Sequence, residues 1–187
     1  MGNPGAEYAG TRHNVGAEVV DVLAQRFGSG LVAARKEHAL VAEIRVPGHD
    51  DPVVVAFPQT FMNESGRSAA ALITRHGIDD PRRIVVVHDE LDLDVGALKL
   101  KSGGGFAGHN GLRSMRQHLG TADFARVRIG VGRPPHPGAG ASWVLKRPGQ
   151  ADRTELDIVV REAADAVVDV VDHGIDEAMN RWNGRRR

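Results

Sequence analysis

The chain has 187 residues, no cysteine and a formal net charge of zero, with 24 basic and 24 acidic residues. This length predicts one domain over 1–187 with a substantial core, and the lack of cysteine excludes disulfides, thiolate metal sites and thiol nucleophiles. No segment approaches the roughly 18 apolar residues of a membrane span, and the first residues lack a signal-peptide pattern. We therefore expect a cytoplasmic protein that makes no membrane contact.

The N-terminal stretch combines turn-forming residues with a candidate acid/base group. Asn3-Pro4-Gly5 predicts a tight turn, because proline fixes φ and glycine adopts conformations that other residues avoid. Helical spacing of apolar residues predicts a helix over 16–27, with Asn14 as its cap and Gly28 as its end. His13 then lies just before a helix N-terminus, where a side chain can contact a ligand. A histidine that only forms local hydrogen bonds is the alternative.

The next segments predict a hairpin followed by a helix. Alternating residues over 40–46 and an apolar run over 53–57 are typical of paired strands, with a turn cluster between them. A helix that ends at Gly77 follows, and the amide Asn63 falls between the second strand and this helix.

The most apolar run, 84–87, predicts a buried strand that leads directly into His88 and Asp89. Acids at the carboxyl end of a buried strand lie where open α/β sheets place their sites. The segment 141–145 fits either a helix or a loop. The rest of the chain predicts strands over 98–101 and 126–131, a helix over 112–119, a long helix over 151–172 and a short one over 178–182.

Strands alternate with helices along the chain, and no internal repeat is present. This order predicts an α/β fold, a three-layer sandwich with a mostly parallel, mixed and twisted sheet flanked by helices.

Charge is distributed unevenly despite the neutral total. The segment 97–133 carries seven basic residues against the single acid Asp123, whereas 150–180 carries nine acids against Arg153 and Arg161. This asymmetry predicts a polyanionic partner for one face of the molecule, and solvated element faces are the equally supported alternative.

Several common site types are disfavoured. The segment 103–108 matches G-x-G-x-x-G, but the position where dinucleotide binding needs an acid holds Arg128. There is no phosphate-binding P-loop, no H-E-x-x-H and no G-x-S-x-G. His88 and Asp89 are adjacent on a strand and point to opposite faces, so we expect no metal.

A set of neutral amides remains, with one candidate base and one candidate acid. Amides donate and accept hydrogen bonds without titrating, so they suit holding an acyl group while a base activates water. An amide donor also stabilises the oxyanion that develops as water adds to a carbonyl. These residues therefore indicate hydrolysis of an ester or amide; they are Asn3, Asn63 and Asn110 with His13 and Asp89.

The chain resembles the bacterial peptidyl-tRNA hydrolase family along nearly its whole length. The resemblance rests on ordered blocks with the family's spacing. They are Asn3-Pro4-Gly5, Tyr8, Thr11-Arg12-His13-Asn14, Phe61-Met62-Asn63-x-Ser65-Gly66, His88-Asp89-Glu90-Leu91-Asp92, Gly108-His109-Asn110-Gly111 and Arg128-Ile129-Gly130-x-Gly132-Arg133.

This resemblance implies a monomeric enzyme that hydrolyses the ester between peptide and tRNA, without metal or other cofactor and without a covalent intermediate. His13 is then the general base for water, and Asp89 orients and polarises it. The implied partner is peptidyl-tRNA, contacted at its acceptor stem and 3′ end. The implied substrate-binding residues are Asn3, Tyr8, Met62, Asn63, His109 and Asn110, and the implied phosphate-binding residues are Lys99, Lys101 and Arg128.

The chain departs from the family pattern at its start, in the glycine loop and at Phe57, where the family commonly has a lysine before Pro58. The family begins with an apolar strand, and Met1 stands where that strand should finish, so we expect the first strand to be missing. Phe106 and Ala107 are bulkier than the residues expected in the glycine loop. A non-catalytic RNA-binding relative of the same fold is the alternative function, and the presence of both His13 and Asp89 argues against it.

Overall fold

The computed structural model describes residues 1–184, which form six strands and six α-helices. Short 3-10 turns at Arg12–Asn14 and Met62–Glu64 lead into α1 and α2. The strands are β1 (Val32–Ala34), β2 (Ala39–Ile44), β3 (Val53–Pro58), β4 (Val85–Glu90), β5 (Leu98–Ser102) and β6 (Ala125–Gly130). The helices are α1 (Val15–Arg26), α2 (Ser65–His76), α3 (Asn110–Leu119), α4 (Gly140–Val144), α5 (Gln150–His173) and α6 (Ile175–Asn183).

The strands form two three-stranded sheets, ordered β1-β2-β3 and β4-β6-β5. Only β4 and β6 pair in parallel, whereas β1–β2, β2–β3 and β5–β6 are antiparallel. The expected mixed α/β fold flanked by helices is confirmed, but the expectation of mostly parallel strands is wrong for the described residues. The connection from β4 to β5 is too short for the crossover that a parallel neighbour needs, so β5 pairs antiparallel with β6.

Helices cover both faces of the β4-β6-β5 sheet. On one face α1, α5 and α6 bury the main core, which includes Leu23, Val127, Ile129 and Leu156. On the other face α3 buries Leu112 and Met115 against Val86 and Phe124. None of the helices within residues 1–184 is long and apolar enough to cross a membrane.

The two sheets are separated by an apolar groove of about 220 Å³ between β3 and β4. Met1 lines this groove, and its backbone nitrogen donates a hydrogen bond of 2.7 Å to the Val87 carbonyl. Within the described chain no strand precedes β1: residues 1–4 have no strand structure, and Met1 is the one that bonds to β4.

Most predicted elements are confirmed, including the 40–57 hairpin and the end of α2 at Gly77, whose φ of 62° is left-handed. The short strand β1 was not predicted, and 140–144 is a helix. The prediction that Asn14 caps α1 is wrong, because its side chain makes no cap hydrogen bond.

A close approach of α1 to β4 brings the two predicted catalytic segments together. A Cβ at Gly16 would clash with the Val87 carbonyl and with the backbone of Met1, so only glycine allows this contact. His13 precedes α1 and Asp89 lies near the end of β4, so the same contact places their side chains side by side.

Candidate active site

An open cleft of about 540 Å³ lies at the carboxyl end of β4. Its walls are the turn before α2, the glycine loop and first turn of α3, and the segment 138–145. Of the predicted site residues, those that line the cleft are Asn3, His13, Met62, Asn63, Asp89, His109 and Asn110.

His13 and Asp89 form a hydrogen-bonded pair inside the cleft. His13 Nδ1 lies 2.8 Å from Asp89 Oδ1, and the side chains are 12% and 3% exposed. Since the ionised carboxylate only accepts hydrogen bonds, Nδ1 carries the proton and donates it. His13 Nε2 is then left as an acceptor, which is the state that a general base requires.

His109 makes a second hydrogen bond to the same carboxylate oxygen. Its Nδ1 accepts hydrogen bonds from the backbone nitrogens of Gly111 and Leu112, at 3.1 and 3.3 Å, and so caps α3. The proton of a neutral ring must then be on Nε2, which donates to Asp89 Oδ1 at 3.0 Å. The helix cap therefore fixes the tautomer of His109 and directs its N–H at Asp89.

Two opposing effects act on the Asp89 carboxyl. Burial alone raises its pKa, but electrostatic attraction and hydrogen bonds from His109 and His13 lower the pKa well below its ordinary range. Asp89 is therefore ionised at neutral pH, and it stabilises positive charge that develops on His13.

The donor atoms of His13, Asp89 and His109 lie within 4.8 Å of one another, a spacing compatible with a metal ion. Their hydrogen bonds do not fit one, however. A metal on His109 Nε2 would move the proton to Nδ1, where it would oppose the backbone N–H groups of Gly111 and Leu112. The donor set thus favours the hydrogen-bonded arrangement.

The three predicted asparagines differ in how they are held. Asn3 is buried; its Oδ1 accepts a hydrogen bond from the Met62 backbone nitrogen at 2.7 Å. Its backbone exchanges hydrogen bonds with the Asn14 side chain at 2.9 Å in both directions, which explains why Asn14 does not cap α1. Asn63 and Asn110 are exposed in the cleft. Their amides are free to contact a substrate.

Tyr8 is the one predicted substrate-binding residue outside the cleft lining. Its ring contacts Phe61 edge to face, with 6.4 Å between ring centroids. Phe61 itself is 58% exposed and lines the cleft, while its neighbour Met62 is buried beneath it. Tyr8 therefore contacts the cleft through Phe61.

The predicted phosphate-binding residues lie on β5 and β6, beside the cleft. Lys99 is opposite Arg128 in the β5–β6 register, so their side chains share a face with the exposed Lys101. Arg128 makes an ion pair of 3.0 Å with Glu90, which lines the cleft. Lys99 Nζ donates to the Asn183 carbonyl at 2.5 Å. We call Lys99, Lys101 and Arg128 the basic strip.

Sequence reasoning missed the wall opposite the glycine loop. Val144, the last residue of α4, and the half-exposed Leu145 line the cleft there, and this helix is too short for periodicity to predict. This wall is anchored by the buried Arg12, which pairs with Asp152 at 3.0 Å and lies 3.8 Å from the Trp143 ring centroid. In the sequence, the position of Arg12 directly before His13 was the only feature that pointed to this wall.

A family model for peptidyl-tRNA hydrolase matches residues 1–187. The chain belongs to the peptidyl-tRNA hydrolase family. Similar curated members include the peptidyl-tRNA hydrolases of Rhodococcus opacus, 50% identical over 97% of this chain and 94% of the relative, and of Mycolicibacterium gilvum, 48% identical over 96% and 92%.

Solved structures of the peptidyl-tRNA hydrolase family agree with the fold. The enzyme from Acinetobacter baumannii superposes with a TM-score of 0.91 at 36% identity, covering 99% of this chain and 92% of that one. A peptidyl-tRNA hydrolase in complex with N-propanol gives a TM-score of 0.92 at 36% identity, covering 100% and 93%. The family predicted from sequence motifs is confirmed.

Proposed function

We propose that this chain hydrolyses the ester bond between peptide and tRNA, releasing both, with His13 as the general base for water. The observation that carries the proposal is the His13–Asp89 hydrogen bond of 2.8 Å, which leaves Nε2 of His13 as an acceptor beside the cleft. Membership of the peptidyl-tRNA hydrolase family supplies the substrate class.

The reaction follows from the arrangement of these groups. His13 Nε2 takes a proton from water as the water oxygen bonds to the ester carbonyl carbon, and the ionised Asp89 stabilises the imidazolium. The amides of Asn63 and Asn110 are the donors available for the oxyanion and for the peptide backbone. When the C–O bond breaks, the 3′ ribose oxygen leaves and receives the proton that His13 holds.

The walls of the cleft suit the acyl part of the substrate. Phe61, Val144 and Leu145 offer apolar surface for peptide side chains, and the asparagines offer neutral partners for the amide bond. A free α-ammonium would find an amide rather than a carboxylate partner at Asn63 and Asn110. This supports a preference for N-acylated substrates over ordinary aminoacyl-tRNA.

We infer that the basic strip contacts phosphates of the tRNA acceptor stem while its 3′ end enters the cleft. Lys101 is exposed and Arg128 is held by Glu90, which is itself part of the cleft lining. Such contacts make binding fall steeply with salt. A tRNA substrate supports a cytoplasmic location.

The test is release of N-acetyl-amino acid from N-acetyl-aminoacyl-tRNA. We expect His13→Ala to lower kcat about 10²- to 10⁴-fold, while the matched control His49→Ala, which removes a half-exposed histidine far from the cleft, leaves it unchanged. A folded wild-type chain that binds tRNA but releases nothing would instead support the non-catalytic RNA-binding alternative.

A further inference from the structure

Arg126 is a buried cation whose partners are backbone carbonyls. It lies on β6 with 2% of its surface exposed. Its Nη1 and Nη2 donate to the carbonyls of Gly105 and Gly104, at 2.5 and 2.8 Å. The guanidinium also lies 5.0 Å from the Phe124 ring centroid and 5.8 Å from that of Phe106. Among residues 1–184 it forms no ion pair with a carboxylate. Burying a charge without a carboxylate partner is unfavourable, and the two carbonyl hydrogen bonds offset part of that cost.

The carbonyls that Arg126 holds belong to a loop with little regular structure of its own. Gly103, Gly104, Ala107 and Gly108 have φ of 60°, 100°, 46° and 78°, all in the left-handed region. Ala107 pays a steric penalty there that glycine does not. The loop therefore depends on contacts from outside to keep one conformation.

The far end of this loop carries two residues of the site. The backbone nitrogen of His109 donates to the Phe106 carbonyl at 2.7 Å, one residue beyond the carbonyls that Arg126 binds. His109 in turn donates to Asp89, and Asn110 lines the cleft. Arg126 is thus connected to the carboxylate that orients His13 by hydrogen bonds at Gly104, Gly105, Phe106 and His109, which short stretches of loop backbone link to one another.

We infer that Arg126 is a positioning residue, which fixes the glycine loop through its two carbonyls and so sets the placement of His109 and Asn110 in the cleft. This inference rests on the proposed function for its kinetic consequence. Arg126 thus has a role different from that of its strand neighbour Arg128. Its guanidinium is buried and donates to the loop carbonyls, so it cannot contact a tRNA phosphate.

The kinetic test compares Arg126→Met and Arg126→Lys with the control Arg116→Met, which removes an exposed arginine that donates to a carbonyl at the far end of α3. We expect Arg126→Met to lower kcat about 10- to 100-fold, with the salt dependence of KM unchanged. Arg126→Lys should not restore kcat, because an ammonium cannot bind two carbonyls as a planar fork does. Full activity in Arg126→Lys, or a change confined to KM and its salt dependence, would overturn the inference.

A second measurement does not require activity. In protein labelled with ¹⁵N-histidine, proton–nitrogen correlation spectra should show His109 protonated at Nε2 in the wild type and in Arg116→Met. In Arg126→Lys, which keeps a buried cation and so a better chance of folding, the His109 signals should shift or broaden. Unchanged His109 signals would contradict the inference even if the wild type proved inactive, so the two proposals fail separately.

Discussion

The two walls of the cleft are built differently, although a buried arginine holds each of them. The loop wall, residues 103–110, has left-handed backbone and presents polar groups, and Arg126 binds its carbonyls. The helix wall, residues 140–145, presents apolar side chains. Arg12 binds the carbonyls of Lys146 and Arg147 just beyond it, at 3.3 and 3.2 Å.

This difference follows from what each wall must do. A short helix satisfies part of its own backbone, and Arg12 binds the carbonyls that follow its C-terminus while it also pairs with Asp152. In the loop wall the His109 backbone nitrogen binds the Phe106 carbonyl, but residues 103–105 belong to no helix or strand, and the His109 side chain must meet Asp89 at hydrogen-bond distance. We therefore expect changes near the loop wall to affect chemistry, and changes in the helix wall to affect stability and substrate binding.

The largest effect is expected at the carboxylate that the loop wall contacts. Asp89→Asn removes the charge that stabilises the His13 imidazolium and should lower kcat about 10²- to 10⁴-fold. Asp92→Asn is the matched control, since Asp92 is 63% exposed and pairs with Arg133 at 3.5 Å. Kinetics with N-acetyl-aminoacyl-tRNA decide the question, and a loss below threefold in folded Asp89→Asn would remove Asp89 from the mechanism.

The anchor of the helix wall should matter for stability first. Arg12→Met removes three hydrogen bonds and leaves Asp152, which is 37% exposed, without its partner. We expect the free energy of unfolding to fall by about 1 to 3 kcal/mol, less than for a fully buried pair. Urea unfolding measures this, with Arg147→Met as the control because that exposed arginine also donates to carbonyls. A large fall in kcat with unchanged stability would reverse the roles of the two walls.

Much of the loop wall and its partners could be predicted from sequence, because their residues sit in short motifs. His13, Asp89 and Asn110 each follow or precede a predicted element, and the carboxyl end of β4 gathers them. Periodicity gave the long helices and the hairpin for the same reason, since burial repeats along each of them.

The anchors could not be predicted, because their partners are backbone carbonyls far away in the chain. Arg12 and Lys146 are separated by 134 positions, and a carbonyl carries no residue identity for a motif to encode. The prediction of mostly parallel strands was wrong for a related reason, because the alternation of apolar residues is the same in parallel and antiparallel strands. The ion pair between Glu90 and Arg128 could not be predicted either, although both residues belong to motifs that the family shares.

The apolar face of the helix wall should affect binding with little effect on chemistry. Leu145 is 44% exposed in the cleft, so Leu145→Ser removes contact surface without opening the core. We expect KM for a substrate with a large apolar side chain to rise about threefold to tenfold, with kcat nearly unchanged. Ile158→Ser, at a position 46% exposed on α5, is the control. If kcat fell by as much as KM rose, Leu145 would act on the chemistry, as the loop wall does, and not only on binding.

The smallest effect concerns the pH dependence of stability behind the loop wall. His88 is buried, and its ring contacts that of His109 with 5.0 Å between centroids. Burial, and secondly the neighbouring His109, lower the pKa of His88 well below its ordinary value of 6.5.

The folded protein thus keeps His88 neutral at a pH where the unfolded chain binds a proton. Because the unfolded state then binds more protons, stability falls as the pH drops below about 6.5. His88→Phe lacks this contribution, so its free energy of unfolding, relative to the wild type, should rise between pH 7.5 and pH 5.5. The lowered pKa of Asp89 acts only below its ordinary value of 3.8 and does not interfere. Parallel stability curves for the two proteins would show that His88 protonates in the folded state, and the loop wall would then be no more sensitive to acid than the helix wall.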